Sequence, residues 1–388
     1  MFRETSVGIP WSQSVLNEPP LSCESGCTVS NKSWWPRTRW TCAGIPLVDS
    51  SSAAILLDLK NQDSVVTERA SMPDSKCNLA SRVFLQACQK GDLGKLESVR
   101  EQFKIDDWTI YRHDASGDTG LHVAAREGHL DVVRYLCQAW EQPLYRADVT
   151  NKDMKRPLHE AAQFARIDVL QYLIERGVQI DSLKRADWTP LMLACTKSGV
   201  DARRCIQCLL DVGADSCAKN SDGWNPLFIA CRGGDADAVK LLLHNAPHCI
   251  NARSKNGRSA LHIAAFHGGT EIVDQLVEAK PDILHARDTS GSTALHESAK
   301  SGISKVTERL IELGADPNAL DNVGQSVLHV AAACQSVETI KYILVNNLVD
   351  VHLEAQFGVT PLMAAERHKR NLAVDILKTF LEQINEKS

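Results

Sequence analysis

Residues 261–265 read Leu261-His262-Ile263-Ala264-Ala265, and this pentapeptide decides the fold because it recurs. Leu121-His122, Leu158-His159, Leu295-His296 and Leu328-His329 open the same pattern, while Leu191-Met192, Leu227-Phe228 and Leu362-Met363 fill its slot with apolar residues. Successive anchors lie 33 to 37 residues apart, a period that marks stacked copies of one supersecondary unit rather than a string of independent domains. Stepping back from His122 reaches Leu85, within the divergent copy Val83-Phe84-Leu85-Gln86-Ala87-Cys88. About nine units result.

Each unit reads as a helix pair. Thr189-Pro190-Leu191 and Thr360-Pro361-Leu362 put proline at the first helical position, where no N–H partner is needed and φ is preset. Gly128, Gly234, Gly268 and Gly302 end a short first helix, and Gly177, Gly213 and Gly314 end a second one of the type Val239-Lys240-Leu241-Leu242-Leu243. Neither helix is long enough to bury its own apolar face, so the units must stack. The in-phase pattern resembles the ankyrin repeat. The expected fold is an all-α ankyrin-repeat solenoid of helix-turn-helix units joined by hairpin loops over residues 80–388, with a divergent capping repeat at 80–113 and eight further repeats at 114–388. Short insertions are expected near Ser198-Gly199-Val200-Asp201 and Gln142-Pro143-Leu144.

Residues 1–79 carry no period and read as a disordered, Ser/Thr-rich tail. It holds Trp11, Trp34, Trp35 and Trp40, an aromatic set suited to docking, and Cys23, Cys27 and Cys42, which find no histidine there to complete a zinc site. The net charge of -5 argues against a dedicated nucleic-acid binder. With no long apolar stretch and no signal-like start, the chain reads as a monomeric protein of the cytoplasm, and of the nucleus as a second compartment, bound to neither membrane nor nucleic acid. The thirteen cysteines are spread over a long chain, so reduced thiols in small core slots are expected.

Signatures of catalysis fail. His159-Glu160 and His296-Glu297 begin like a zinc-peptidase motif, but the fourth residue after each histidine is Gln163 or Lys300. The histidines are instead expected to bridge backbone and hydroxyl groups at the start of each first helix. Cys205-Ile206-Gln207-Cys208 lies in an amphipathic helix and reads as packing. No catalytic residue, metal or cofactor is expected, and the chain reads as a non-enzyme.

Aligning the units isolates one column, the residue before the Thr-Pro slot: Asp118, Lys155, Trp188, Trp224, Arg258, Ser292, Gln325 and Val359. Trp188 and Trp224, flanked by Lys155 and Arg258, have the composition of an interface hot spot, placed about 10 Å apart on the inner side of the connecting hairpins. Lys152, Lys184, Lys219 and Lys255 form a basic ladder beside them. The stretches Lys152-Asp153-Met154-Lys155-Arg156-Pro157-Leu158-His159-Glu160, Ala186-Asp187-Trp188-Thr189-Pro190 and Asp222-Gly223-Trp224-Asn225 are similar to a group of ankyrin-repeat accessory factors of alanyl-tRNA synthetase. That resemblance implies a protein-binding adaptor that engages the synthetase and limits serine misincorporation, with misactivated serine accepted on lysines. Arg185, Ser221 and Asn251 occupy the three acceptor positions, so the neighbouring Lys184, Lys219 and Lys255 become the acceptor candidates, arginine being unable to serve.

Overall fold

The computed structural model describes residues 74–138 and 147–386; the expected tail up to residue 73 and the insertion at Gln142-Pro143-Leu144 lie outside the described residues. Among those residues eighteen α-helices form nine pairs and there is no strand. The pairs are α1 (Asp74–Lys90) with α2 (Leu93–Phe103), α3 (Gly120–Glu127) with α4 (Leu130–Gln138), and α5 (Pro157–Gln163) with α6 (Ile167–Glu175). The central pairs are α7 (Pro190–Ala194) with α8 (Val200–Asp211), α9 (Pro226–Gly233) with α10 (Ala236–Asn245), and α11 (Ala260–His267) with α12 (Thr270–Ala279). The last three are α13 (Ala294–Ser301) with α14 (Ser304–Glu312), α15 (Val327–Cys334) with α16 (Val337–Val345), and α17 (Pro361–Arg367) with α18 (Asn371–Asn385). The first helix thus begins at Asp74, ahead of the residue-80 start expected for the repeats.

Each first helix packs against the first helix of the next pair, and each second helix runs beside its own partner. Buried alanines such as Ala124, Ala125, Ala161, Ala162, Ala264 and Ala265 keep the first helices close, and the leucine ahead of each histidine is fully buried. The divergent first repeat is closed by Trp108, which is fully buried and donates its indole N–H to the Leu136 carbonyl at 3.1 Å. Gly128, Gly234, Gly268 and Gly302 sit at left-handed φ after the first helices, and Gly177, Gly213 and Gly314 do so after the second. The residues near Ser198 accommodate their extra length in α8, which runs for 12 residues. No described helix is long and apolar enough to cross a membrane.

The histidines act as inter-repeat bolts. At each of five first helices, Nδ1 faces the backbone N–H three residues upstream, at 3.3 Å from Thr119 N for His122 and 3.2 Å for His159, His262, His296 and His329. An N–H can only donate, so Nδ1 is the acceptor and the ring proton lies on Nε2. That Nε2–H donates to a carbonyl one repeat on: Lys155 (2.9 Å), Trp188 (3.2 Å), Ser292 (2.9 Å), Gln325 (3.0 Å) and Val359 (3.0 Å). The expected bridging role is what the structure shows.

A second ladder joins the hairpins themselves. Backbone N–H groups of Lys152, Arg185, Ser221, Lys255, Thr289, Asn322 and Gln356 donate to carbonyls of Ser116, Asp153, Ala186, Asp222, Asn256, Ser290 and Val323 at 2.9–3.1 Å. Adjacent hairpins lie so close at Gly223 that a side chain there would stand 2.8 Å from the Lys255 amide nitrogen. Glycine answers both this contact and a φ of +78.

The cysteine expectation needs one correction. Cys88, Cys137, Cys195, Cys205, Cys208, Cys231 and Cys334 are free, five of them buried and half-buried Cys208 within α8, in keeping with small core slots. Cys217 and Cys249, however, are joined as a disulfide, with Cα atoms 5.5 Å apart. They occupy the connectors after α8 and α10, and stacking brings these neighbouring connectors together. A spacing of 32 residues does not reveal such a pair without the repeat register.

Burial depresses the pKa of all five bridging histidines, to about 4 for His159, against an ordinary value of 6.5. The unfolded chain therefore takes up these protons first as pH falls. Their contribution to stability is complete above about pH 6.5 and is lost as pH drops toward the folded values. Urea unfolding at pH 7 and pH 5 should show the protein clearly weaker at pH 5. His262→Ala should cost about 1–3 kcal/mol at pH 7 by removing the acceptor of the Ser259 N–H and one of the two donors to the Ser292 carbonyl, and should flatten the pH dependence; an unchanged slope would refute the neutral-histidine assignment.

Candidate partner-binding site

Every residue of the column chosen from the sequence ends a hairpin, and the structure shows why that position recurs. Its carbonyl accepts from the N–H that opens the same hairpin: Asn151 to Lys155 (2.9 Å), Lys184 to Trp188, Asn220 to Trp224 and Ser254 to Arg258 (each 3.0 Å). Five of the column carbonyls also receive the histidine bolts described above. The backbone is thus committed to the stack, while the side chain is left to vary.

Neither tryptophan stands free. Trp188 is half-buried against the core, and Lys184 places its ammonium 5.4 Å from the ring centroid. Trp224 is half-buried too, in a tilted pair with Phe228 at 6.3 Å, and the Arg232 guanidinium lies 5.7 Å from its ring. Each indole therefore forms a cation–aromatic pair with a different partner, and neither cation belongs to the column. A similar contact appears at Phe164, 37% exposed, with Arg126 and Lys197 at 5.9 and 5.8 Å.

The two flanking cations are held from within. Lys155 bonds Glu160 (3.2 Å) and Gln163 (2.5 Å), and Glu160, fully buried, also takes Arg126 at 2.9 Å. Arg126 reaches on to Asp118 at 2.7 Å, so four charges alternate across two repeats. Burial alone would raise the Glu160 pKa, but hydrogen bonds and charge from Arg126 and Lys155 outweigh it and hold the carboxyl below its ordinary range. The pattern repeats at Glu297, also fully buried, which binds Arg258 (3.2 Å) and Lys300 (2.6 Å). Both glutamates directly follow a bridging histidine. That pairing was visible in the sequence, but its meaning lay in the cations one helical turn or one repeat away.

The lysine ladder is uneven. Lys152 is exposed and donates to the Asp114 carbonyl; Lys219 and Lys255 are exposed. Lys184 is half-buried, and its pKa is lowered first by burial and then by the charge of Lys155, against Asp153 and Glu160. Of the three matched positions, Arg185 is tied to Asp153 (3.3 Å), Ser221 donates to Asp187 (2.9 Å) and Asn251 accepts from Lys280.

The hairpins around Trp188 are also strained. The residue before the column is glycine at left-handed φ in most units, including Gly223, Gly257, Gly291 and Gly324. In the hairpins of Lys155 and Trp188 it is Met154 (φ 57) and Asp187 (φ 61), and Ala186 shares the conformation (φ 65). A side chain there costs about 1–2 kcal/mol, and Met154 presents its side chain to solvent, 52% exposed. Local strain of this kind concentrates at functional surfaces. A groove between α10 and α12, lined by Asp237, Lys240, Leu241, His244 and Glu278, shares no residue with this region.

Comparison with known proteins agrees with the repeat. A family model described as ankyrin repeats (3 copies) matches residues 84–184, 177–254, 246–321 and 305–388. The chain is 27% identical to the human transient receptor potential cation channel subfamily A member 1 over 43% of its own length and 14% of the channel. It is 31% identical to human B-cell lymphoma 3 protein over 34% of its length and 29% of that protein. With the zebrafish (Danio rerio) Notch-regulated ankyrin repeat-containing protein B it shares 30% identity over 28% of its length and 93% of the relative. The match thus spans a small part of the first two relatives and nearly all of the third.

Two stability measurements separate scaffold from surface here. Arg258→Ala should cost about 2 kcal/mol by leaving buried Glu297 with Lys300 alone, whereas Lys219→Ala and Lys255→Ala should stay within about 0.5 kcal/mol. Met154→Gly should raise stability by about 0.5–1 kcal/mol by releasing the left-handed strain. Loss of stability in that variant would show that the methionine side chain is held by packing.

Proposed function

The chain belongs to the ankyrin-repeat family, and from that premise we propose that it is a non-catalytic protein-binding adaptor whose contact surface centres on the hairpins of Lys155, Trp188 and Trp224. The observation that carries this reading is the combination at residues 154–188: strained, non-glycine hairpin tips, an exposed methionine and a lysine-covered indole. Such a site presents apolar area beside fixed positive charge, which suits an acidic partner surface with apolar anchors. Lys155 and Arg258 contribute by setting the local potential, because their ammonium and guanidinium groups are held by Glu160 and Glu297.

The partner in this proposal is alanyl-tRNA synthetase, and the role is to limit serine misincorporation in translation. Support comes from the resemblance of residues 152–160, 186–190 and 222–225 to accessory factors of that enzyme, and these stretches include the strained hairpins. A second reading, in which a lysine accepts misactivated serine, gains support at one residue. Lys184 is the ladder lysine whose burial and cationic neighbour favour the neutral, nucleophilic amine.

A pull-down of alanyl-tRNA synthetase by the full chain tests the adaptor. Recovery should fall at least about tenfold for Trp188→Ala, consistent with a hot-spot loss above about 1.4 kcal/mol. Equal recovery would remove the site, no recovery by the wild type would remove the synthetase, and capture of other proteins through the same tryptophans would favour a general scaffold. Incubation with synthetase, ATP and serine, followed by peptide mass spectrometry, should place any seryl adduct on Lys184 ahead of Lys219 and Lys255; all three lysines unmodified would eliminate the acceptor reading.

A further inference from the structure

Cys217 and Cys249 do more than close a loop. Cys217 is half-buried in the connector after α8, and His248-Cys249 lies in the short 3-10 turn Pro247–Asn251 one repeat on. The two sulfurs and an imidazole nitrogen of His248 all lie within 4.8 Å of one another. This is a Cys2His set on backbone that is held independently of the sulfurs. The Cys217 N–H donates to Asp215 Oδ1 at 2.9 Å, the Cys249 N–H donates to the Ala246 carbonyl at 3.1 Å, and the Cys249 carbonyl accepts from Asn225 Nδ2 at 3.1 Å.

We propose that these three residues form a redox-gated site for a thiophilic divalent cation of the zinc class. In the oxidised chain the sulfurs are bonded to each other. Reduction by a dithiol transfers two electrons and two protons to the pair, breaks the S–S bond and leaves the reductant as its own cyclic disulfide. Metal binding then displaces the two thiol protons and takes both thiolates and the His248 imidazole as ligands. A tetrahedral zinc site has Zn–S near 2.3 Å and Zn–N near 2.0–2.1 Å, so its donor atoms stand roughly 3.3–3.8 Å apart. The sulfurs reach that separation by side-chain rotation, with His248 already beside them.

Three protein ligands leave one coordination position for water or an incoming ligand, the arrangement of an open rather than a closed site. The Ser216 hydroxyl, 3.6 Å from Cys249 Sγ, is placed to donate to a thiolate there. The contrast with Cys205 and Cys208 is instructive. That pair has redox-motif spacing, yet Cys205 is fully buried and burial pushes its thiol up to about 12, which favours the protonated form.

Cobalt(II) titration of the full, dithiol-reduced and desalted chain under anaerobic conditions tests the proposal through the thiolate-to-cobalt charge-transfer absorption. The wild type should bind one Co²⁺ through these sulfurs. Cys217→Ser and Cys249→Ser should each abolish that band with an unchanged circular dichroism spectrum. His248→Ala, at an exposed position, should keep a weakened band with affinity lowered at least about tenfold, and the oxidised chain should show none. A band that survives Cys217→Ser at full strength, or its absence from the reduced wild type, would overturn the site.

Discussion

The structure depends on a neutral imidazole held between two repeats. Each bridging histidine accepts from its own helix start at Nδ1 and donates from Nε2 to the last residue of the next hairpin, so one side chain fixes both the helix entry and the distance to the following unit. Both partners are backbone groups, which every unit supplies whatever its side chains. This bond, together with the hairpin-to-hairpin amide ladder, lets a stack of short helices hold register without any single large core. Its requirement is that the ring stay uncharged. Burial ensures this, and acid is the condition that undoes it.

The same geometry explains where function can be written. The column residue serves the stack with its carbonyl, leaving its side chain unconstrained by the fold. In the described repeats that side chain is aspartate, lysine, tryptophan, arginine, serine, glutamine or valine. Not all of this variety faces a partner. Asp118, Lys155 and Arg258 are drawn inward by ion pairs, Asp118 to Arg126 and Lys155 to Glu160 within their own repeats and Arg258 to Glu297 in the next, the two glutamates being buried acids that need cations. The apolar and strained part left for the proposed recognition is Trp188 under Lys184, Met154 in the preceding hairpin, and Trp224 with Phe228 and Arg232.

The repeat, its helix ends and the histidine role could be read from the sequence because each is a local pattern seen several times over. Glycine after a helix and proline at its start mean the same thing in every unit. The site was less legible. Each column residue ends a hairpin, but the state of its side chain depends on ion pairs that no local pattern announces, such as Asp118 with Arg126 and Arg258 with Glu297 one repeat on. The strain at Met154 and Asp187 was open to inspection as the replacement of an otherwise recurrent glycine. The Cys217–Cys249 link was hidden for a different reason: the two cysteines stand two positions apart within connectors of equal length, so they meet in space without matching in register.

The centre of the array departs from the rest in a consistent way. Met192 and Phe228 stand where other repeats carry a histidine, so the carbonyls of Trp224 and Arg258 receive no imidazole donor from them. Other contacts are found at these two junctions. Asn225 caps α9 by accepting from Phe228 N (3.0 Å) and donates to the Cys249 carbonyl (3.1 Å), and Asp235 receives Gly199 N (3.0 Å) and Arg203 (3.2 Å) from the preceding repeat. The Cys217–Cys249 disulfide spans the same repeat. The missing histidine bolts are thus offset by an asparagine, an ion pair and a sulfur bridge, of which the last responds to redox state or metal. Because Trp224 packs on Phe228 at that junction, a change in the bridge acts within one repeat of the proposed binding surface, and coupling between the two would need no longer path than the stack itself provides.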